Sequence, residues 1–230
     1  KRPQVPAITT GGLPTVVLRC PSHPVARTLI RRLGRAIAAP SANRSGRVSP
    51  TSAQHVREDL AGRIPLILDG GDIEYGMEST VVDCTGTHPI ILRPGSITPE
   101  QLRAVAPTIS LPAAHTPHRS PGMKYRHYAP TIPVALFRGT ATSTAHAMTE
   151  AITAQPNVAV IWHTDVNPHC SHALRLPADP TAAAPRLFSA LRQLEKSGTE
   201  RMLVQGYPPT GVGAAIMNRL EKAASEVVDV

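Results

Sequence analysis

Three short runs in the first half of the chain collect side chains able to hold an anion. Ala39-Pro40-Ser41-Ala42-Asn43-Arg44-Ser45-Gly46 gathers hydroxyls, an amide and a glycine in one loop that leads towards Ser49. The backbone N–H groups and short side chains of such a loop can lie against a phosphate or a carboxylate. Glu78-Ser79-Thr80 places hydroxyls on a β-rich stretch, and Leu92-Arg93-Pro94-Gly95 ends another in an arginine. The planar fork of that arginine suits phosphate or carboxylate. Singly, each run also reads as an ordinary polar turn. Chemistry requires them to converge.

Two further clusters are open to more than one reading. His163, Asp165, His169, Cys170 and His172 crowd a short stretch, and imidazole and thiolate suit Zn2+. Their spacing matches no closed zinc motif, and Pro168 among them favours a polar surface loop. Gly211-Val212-Gly213-Ala214-Ala215-Ile216 falls between a strand and a helix like a dinucleotide fingerprint. Its last glycine is replaced and no acidic partner follows at a suitable distance, so tight helix packing, with Ile216 and Leu220 facing the core, is the better account. Leu187, Leu191 and Leu194 likewise form a core stripe.

Composition narrows the classes. A chain of 230 residues with 41% apolar and 17% charged residues is globular, long enough for one large or two small domains. The 24 Pro imply many turns and a stiff linker. Lys and Arg outnumber Asp and Glu by 24 to 16, a net charge of +8 that suits a protein meeting phosphates, whether of a nucleotide or a nucleic acid. With one Trp, four Tyr and two Phe, few rings remain for the base-stacking platforms of single-strand binders. Three separated cysteines without a CxxC pair point to a reducing compartment. Apolar runs far shorter than a bilayer span and no apolar signal core leave the cytoplasm as the expected location, without a membrane.

The elements that must position these residues alternate along the chain. A strand at 15–18 is followed by a helix from Ser22 with Val25, Leu29, Ile30 and Leu33 on one stripe. Ser49-Pro50 offers an N-cap and first turn for a helix through Leu60, stopped by Gly62. A buried strand at 65–68, strands at 79–83 and 90–93, and a short helix opened by the capping box Thr98-Pro99-Glu100-Gln101 follow. Residues 107–131 carry Pro112, Pro117, Pro121 and Pro130 and no apolar period, which predicts a linker between domains at 1–106 and 132–230. Beyond it, strands at 133–137, 157–162, 202–205 and 227–230 alternate with helices at 143–154, 181–196 and 213–224, the pattern of a parallel or mixed sheet. No repeat of fixed period is evident.

In order, TVVLR, APSANRSG, SPT, LDGG, ESTVVD, LRPG and SPGMKYRHYAP resemble the Sua5/YrdC family, the L-threonylcarbamoyladenylate synthases. The resemblance covers nearly the whole chain. It implies an α/β fold: an incomplete YrdC-like twisted-sheet domain, then the Sua5 linker and a smaller Rossmann-like Sua5 domain. It implies a nucleotidyltransferase that joins L-threonine, bicarbonate and ATP into L-threonylcarbamoyladenylate and pyrophosphate, for the t6A modification of tRNA. Carried over by motif, Arg19, Ser79 and the backbone at Ala39 hold L-threonine. Thr15, Ser41, Asn43, Ser49 and Arg93 hold ATP, and Tyr128 of the linker closes over the nucleotide. The cations and imidazoles of His115, His118, Arg119, Lys124, Arg126 and His127 then read as a lid. Mg2+ is expected to neutralise the triphosphate, and no single residue is singled out as catalytic. A tRNA or a downstream t6A transferase is the implied partner.

One departure matters. The family's catalytic domain begins with a threonine-contacting strand and a Lys-x-Arg pair, and Lys1-Arg2-Pro3 has neither that spacing nor that context. The expectation is an N-terminally truncated chain that lacks half of the site, binds substrates poorly and turns over little or not at all. The contrasting expectation is a non-catalytic basic module that binds RNA or nucleotides.

Overall fold

A computed structural model describes residues 3–111, 128–166 and 168–230. Beyond residue 128 the chain builds a five-stranded parallel sheet in the order β5-β4-β6-β3-β7. Its strands are β3 (Val134–Arg138), β4 (Val158–Trp162), β5 (His172–Arg175), β6 (Arg201–Gln205) and β7 (Glu226–Asp229). Near-continuous apolar runs form the central strands because helices cover both of their faces. Val134, Leu136, Ala159, Ile161, Met202 and Val204 meet α5 (Pro180–Glu195) and α6 (Gly211–Ala223) in one cluster. Ala135, Phe137, Val158, Val160 and Leu203 meet α4 (Ala141–Ala154) on the opposite face. The side-chain period of two thus sorts each strand between two helical layers. Side chains cap the helix starts, with Thr140 accepting from Ser143 N–H and Asp179 from Thr181 N–H.

The region before residue 112 is more open. Its described elements are a 3-10 turn at Ala7–Thr10, α1 (Pro24–Leu33), α2 (Ala53–Leu60), the antiparallel pair β1 (Val81–Asp83) and β2 (Ile90–Arg93), and α3 (Pro99–Arg103). The expected capping box is formed, with Thr98 and Gln101 exchanging side-chain-to-backbone bonds. Gly95 lets the LRPG turn cross the strand before it, since a Cβ there would lie 2.3 Å from the Thr80 nitrogen and 2.5 Å from the Glu78 oxygen.

Several expectations are corrected. Residues 15–18 and 65–68 form no strand and join no sheet among the described residues. β-branched composition makes a strand only where a neighbouring backbone completes the ladder. Leu66, expected in a buried strand, is 70% exposed, Leu18 is 84% exposed, and the α1 stripe of Val25, Leu29 and Leu33 also faces solvent. The second helix is capped by Ser52 and not by Ser49, because Ser49 gives its hydroxyl to Glu78. β5 begins at His172, the end of the expected polar loop, and has no counterpart among the expected strands: it is an edge strand whose residues are half-buried or exposed, so no apolar run announces it. Most of the expected linker, residues 112–127 with its lid residues His115, His118, Arg119, Lys124, Arg126 and His127, lies outside the described residues.

Candidate functional site

Ala129, the residue after Tyr128, donates from N–H to the Gly46 carbonyl at 3.3 Å. Tyr128 is buried in the left-handed backbone region at φ 66°, a conformation that surrounding packing must hold for a non-glycine residue. Its ring stacks on Phe188 of α5 at 5.6 Å between centroids, and the Arg219 guanidinium lies 5.8 Å from its centre. Val48, Met77 and Tyr128 all enter the hydrophobic cluster formed by α5 and α6. The polar loops therefore rest on the second region's helices.

Four of the expected residues are drawn together there. Ser49 is buried and its Oγ donates to Glu78 Oε1 at 2.6 Å. Arg93 is buried, and its Nε and Nη2 donate to the Ser79 carbonyl at 3.3 and 2.9 Å. Burial and the neighbouring Arg219 lower the Arg93 pKa, while Glu78 and a hydrogen bond with Tyr128 oppose that. The Tyr128 phenol is pushed up by burial first and by the Glu78 charge second. Arg219 and Lys222 complete the cluster from α6. Burial, Arg219 and Arg93 hold the Lys222 ammonium down at about 8. Three cations thus share one carboxylate, an arrangement suited to an incoming anion.

Asn43 is near this group in sequence and half-buried. Its Nδ2 donates to the carbonyls of Arg44 and Arg47 at 3.0 and 2.9 Å, which fixes the amide's orientation. Its Oδ1 is buried without a partner among the described residues, ready to accept from a donor. Thr15, Arg19, Ala39 and Ser41 are exposed, and the side chains of Thr15, Arg19 and Ser41 make no hydrogen bond or ion pair among the described residues. Cavities of about 250 and 460 Å³ border the seam, the larger lined by Thr51, His55, Asp72, Arg175 and Arg186 among others, and none of the nine expected site residues lines either.

Sequence reasoning missed the charged groups that join the two regions. Arg219 donates from Nε to Glu78 Oε2 at 2.8 Å and from Nη1 to the Pro94 carbonyl at 2.8 Å. Arg192 of α5 pairs with Asp59, side chains 4% and 6% exposed, and also donates to the Val48 carbonyl. The available signal was position: Arg219 falls three residues after core Ile216, and Arg192 directly follows core Leu191. The histidine-rich stretch disperses instead. His163 bonds the Gly206 carbonyl at 2.9 Å and stacks on Tyr207, Cys170 donates to the Val158 carbonyl, Asp165 pairs with Arg175, and His172 opens β5. No group of three metal-ligating side chains gathers among the described residues. Gly213 allows α6 to meet the Pro208 carbonyl, which a Cβ would approach to 2.1 Å, in keeping with tight packing.

Fold and cluster together define a two-part α/β chain with a cationic site at the seam between its parts. Residues 97–225 match the family model described as threonylcarbamoyl-AMP synthase, C-terminal domain, and residues 1–95 match the Sua5-yciO-yrdC model, described as telomere recombination. The chain belongs to the Sua5/YrdC family. It is 43% identical over 227 residues to the threonylcarbamoyl-AMP synthase of Bacillus subtilis, covering 94% of this chain and 64% of that protein. To the threonylcarbamoyl-AMP synthase of Pyrococcus abyssi it is 40% identical over 229 residues, 96% of this chain and 67% of that one. The crystal structure of P. abyssi Sua5 complexed with L-threonine superposes with a TM-score of 0.91 at 38% identity, covering all of this chain and 70% of that one. The chain spans about two thirds of the length of these relatives. No helix among the described residues is long and apolar enough to cross a membrane.

Proposed function

We propose that this chain serves threonylcarbamoyl-AMP synthesis. The L-threonine amine takes up the carbon of bicarbonate as a carbamate with loss of water. A carbamate oxygen then attacks the α-phosphorus of ATP, and the bond to the β-phosphate oxygen breaks to release pyrophosphate. The observation that carries this reading is the meeting of Ser49, Ser79, Arg93 and Tyr128, drawn from four separate motifs, in one cluster rich in positive charge. Such a site acts by positioning and by stabilising developing charge, without a covalent intermediate.

In this reading Arg93, with Tyr128 beside it, takes the phosphate end of ATP, and Asn43 Oδ1 accepts from a nucleoside hydroxyl or amine. Ser49, Ser41 and Thr15 complete the ATP set, while Arg19, Ser79 and the backbone at Ala39 hold L-threonine. The latter assignment follows the motif resemblance, and the P. abyssi relative complexed with L-threonine supports a threonine site in this fold. A protein-held Mg2+ does not fit the described residues: Glu78, the carboxylate of the cluster, is already committed to Ser49 and Arg219. Domains at 1–106 and 132–230 with a linker at 107–131, a cytoplasmic location, and a product destined for t6A on tRNA belong to the same proposal.

Calorimetric titration of the chain with ATP, with and without L-threonine and bicarbonate, tests it, followed by assay of pyrophosphate release. Tighter ATP binding in the presence of threonine is expected. Salt-sensitive binding of tRNA that ignores ATP and threonine would instead favour a non-catalytic basic module.

A further inference from the structure

We propose that Arg219, on α6 of the second region, is a positioning residue for the nucleotide site and acts through Glu78 on Ser49. The inference rests on the ATP reading above. The Arg219 side chain has no solvent exposure, and it is not merely filling space. Its Nε serves Glu78 Oε2, its Nη1 serves the Pro94 carbonyl and Asn218 Oδ1, and its Nη2 lies 3.5 Å from the Glu78 carbonyl. One guanidinium therefore ties together the residue before Ser79 and the residue after Arg93, both members of the expected site.

The carboxylate between them has two oxygens with two tasks. Oε2 faces Arg219 and Oε1 accepts the hydroxyl proton of Ser49. A serine has one proton to give, and while Glu78 is ionised that proton is used inside the protein. Ser49 is then left with lone pairs only, so it meets a ligand as an acceptor of a ribose hydroxyl and not as a donor to a phosphate oxygen. Burial alone would raise the Glu78 carboxyl, but the Arg219 charge and the bonds from Ser49 and Arg219 outweigh it and hold the group below its ordinary range. The other charged or titratable groups facing it are Arg93, Tyr128 and Lys222. Removing Arg219 would leave Glu78 buried without its main partner, free to take up a proton and reverse the Ser49 hydrogen bond.

The test is calorimetric titration of ATP into the 230-residue chain at saturating L-threonine, from pH 5.5 to 8, for the unaltered protein and for Arg219→Met, Arg219→Lys, Glu78→Gln and Lys196→Gln. Thermal melting checks that each variant folds. Arg219→Met is expected to weaken ATP binding about tenfold at pH 7.5, and the loss relative to the unaltered chain should grow on acidification. Arg219→Lys should restore the pH profile of the unaltered chain, and Lys196→Gln, at an exposed part of the seam, should leave ATP affinity unchanged. If Arg219→Met does not fold, Glu78→Gln, which keeps the shape and removes the charge, decides the matter by the same loss of affinity. Folded Arg219→Met or Glu78→Gln with unaltered ATP affinity and pH profile overturns this inference alone. Failure of the unaltered chain to bind ATP overturns the proposed function and this inference with it.

Discussion

The two regions bury their backbone in different ways. In the second, Leu136 and Leu203 of adjacent strands are 0% and 1% exposed, closed between α4 on one face and α5 and α6 on the other. In the first, β1 and β2 are three and four residues long, and apolar side chains such as Leu18 and Leu66 face solvent. Order in the first region is concentrated where it meets α5 and α6: Val48, Met77, Asp59 and Arg93 are buried there. Among the described residues, the polar loops take their positions from contact with the second region's helices, where Val48, Met77 and Tyr128 enter the cluster of α5 and α6.

The strongest way to break that comparison is to remove the apolar contact beneath the site. Phe188 is 1% exposed and stacks on Tyr128. Phe188→Ala should destabilise the chain by about 4 kcal/mol, measured by urea unfolding, through lost transfer energy and a residual cavity. Tyr128 should lose its burial with it. Close behind comes the buried ion pair of the seam. Asp59→Ala strands Arg192 without its carboxylate, and breaking such a pair on one side costs about 3 kcal/mol. If the regions were independent, Asp59→Ala would leave unfolding of the second region's sheet unchanged.

Acid should loosen the seam by a smaller amount. Burial pushes the Asp59 and Glu78 carboxyls up, yet bonds and charge from Arg192 and Arg219 hold both below the ordinary carboxylate range. A carboxyl whose pKa is lower folded than unfolded contributes stability that is complete above the unfolded value and disappears as pH falls through the folded one. The unfolding midpoint should therefore drop below about pH 4. Asp59→Asn and Glu78→Gln should each flatten that acid limb, as followed by circular dichroism between pH 6 and 3.

Legibility in the sequence followed the same division. The strands buried on both faces announce themselves as apolar runs, 134–137 and 158–161, and the capping box at Thr98 is local. Observed helix and strand ends in the second region fall within about two residues of those expected. β5 escaped because His172, Ala173, Leu174 and Arg175 carry no alternation and no apolar run at the sheet edge. Residues 15–18 misled in the other direction, since a β-rich composition cannot supply its own ladder partner. In the site, hydroxyls and arginines in the first region are readable one by one. The Glu78–Arg219 pair, 141 residues apart in the chain, is created by the docking of α6, and no local pattern encodes it.

The smallest expected effect sharpens the comparison from its weak side. Lys196 and Glu58 also join the two regions, at 2.8 Å, but their side chains are 60% and 30% exposed. Water and salt screen such a pair, and holding a flexible lysine in one geometry costs entropy. Lys196→Gln should therefore change stability by about 0.5 kcal/mol or less, and 1 M NaCl should erase even that difference in urea unfolding. A loss as large as that of Asp59→Ala would mean that surface charges, and not the buried arginines and Phe188, hold the loops to the helices. The contrast between a second region built on its own sheet and a first region ordered by contact would then have to be redrawn around electrostatics.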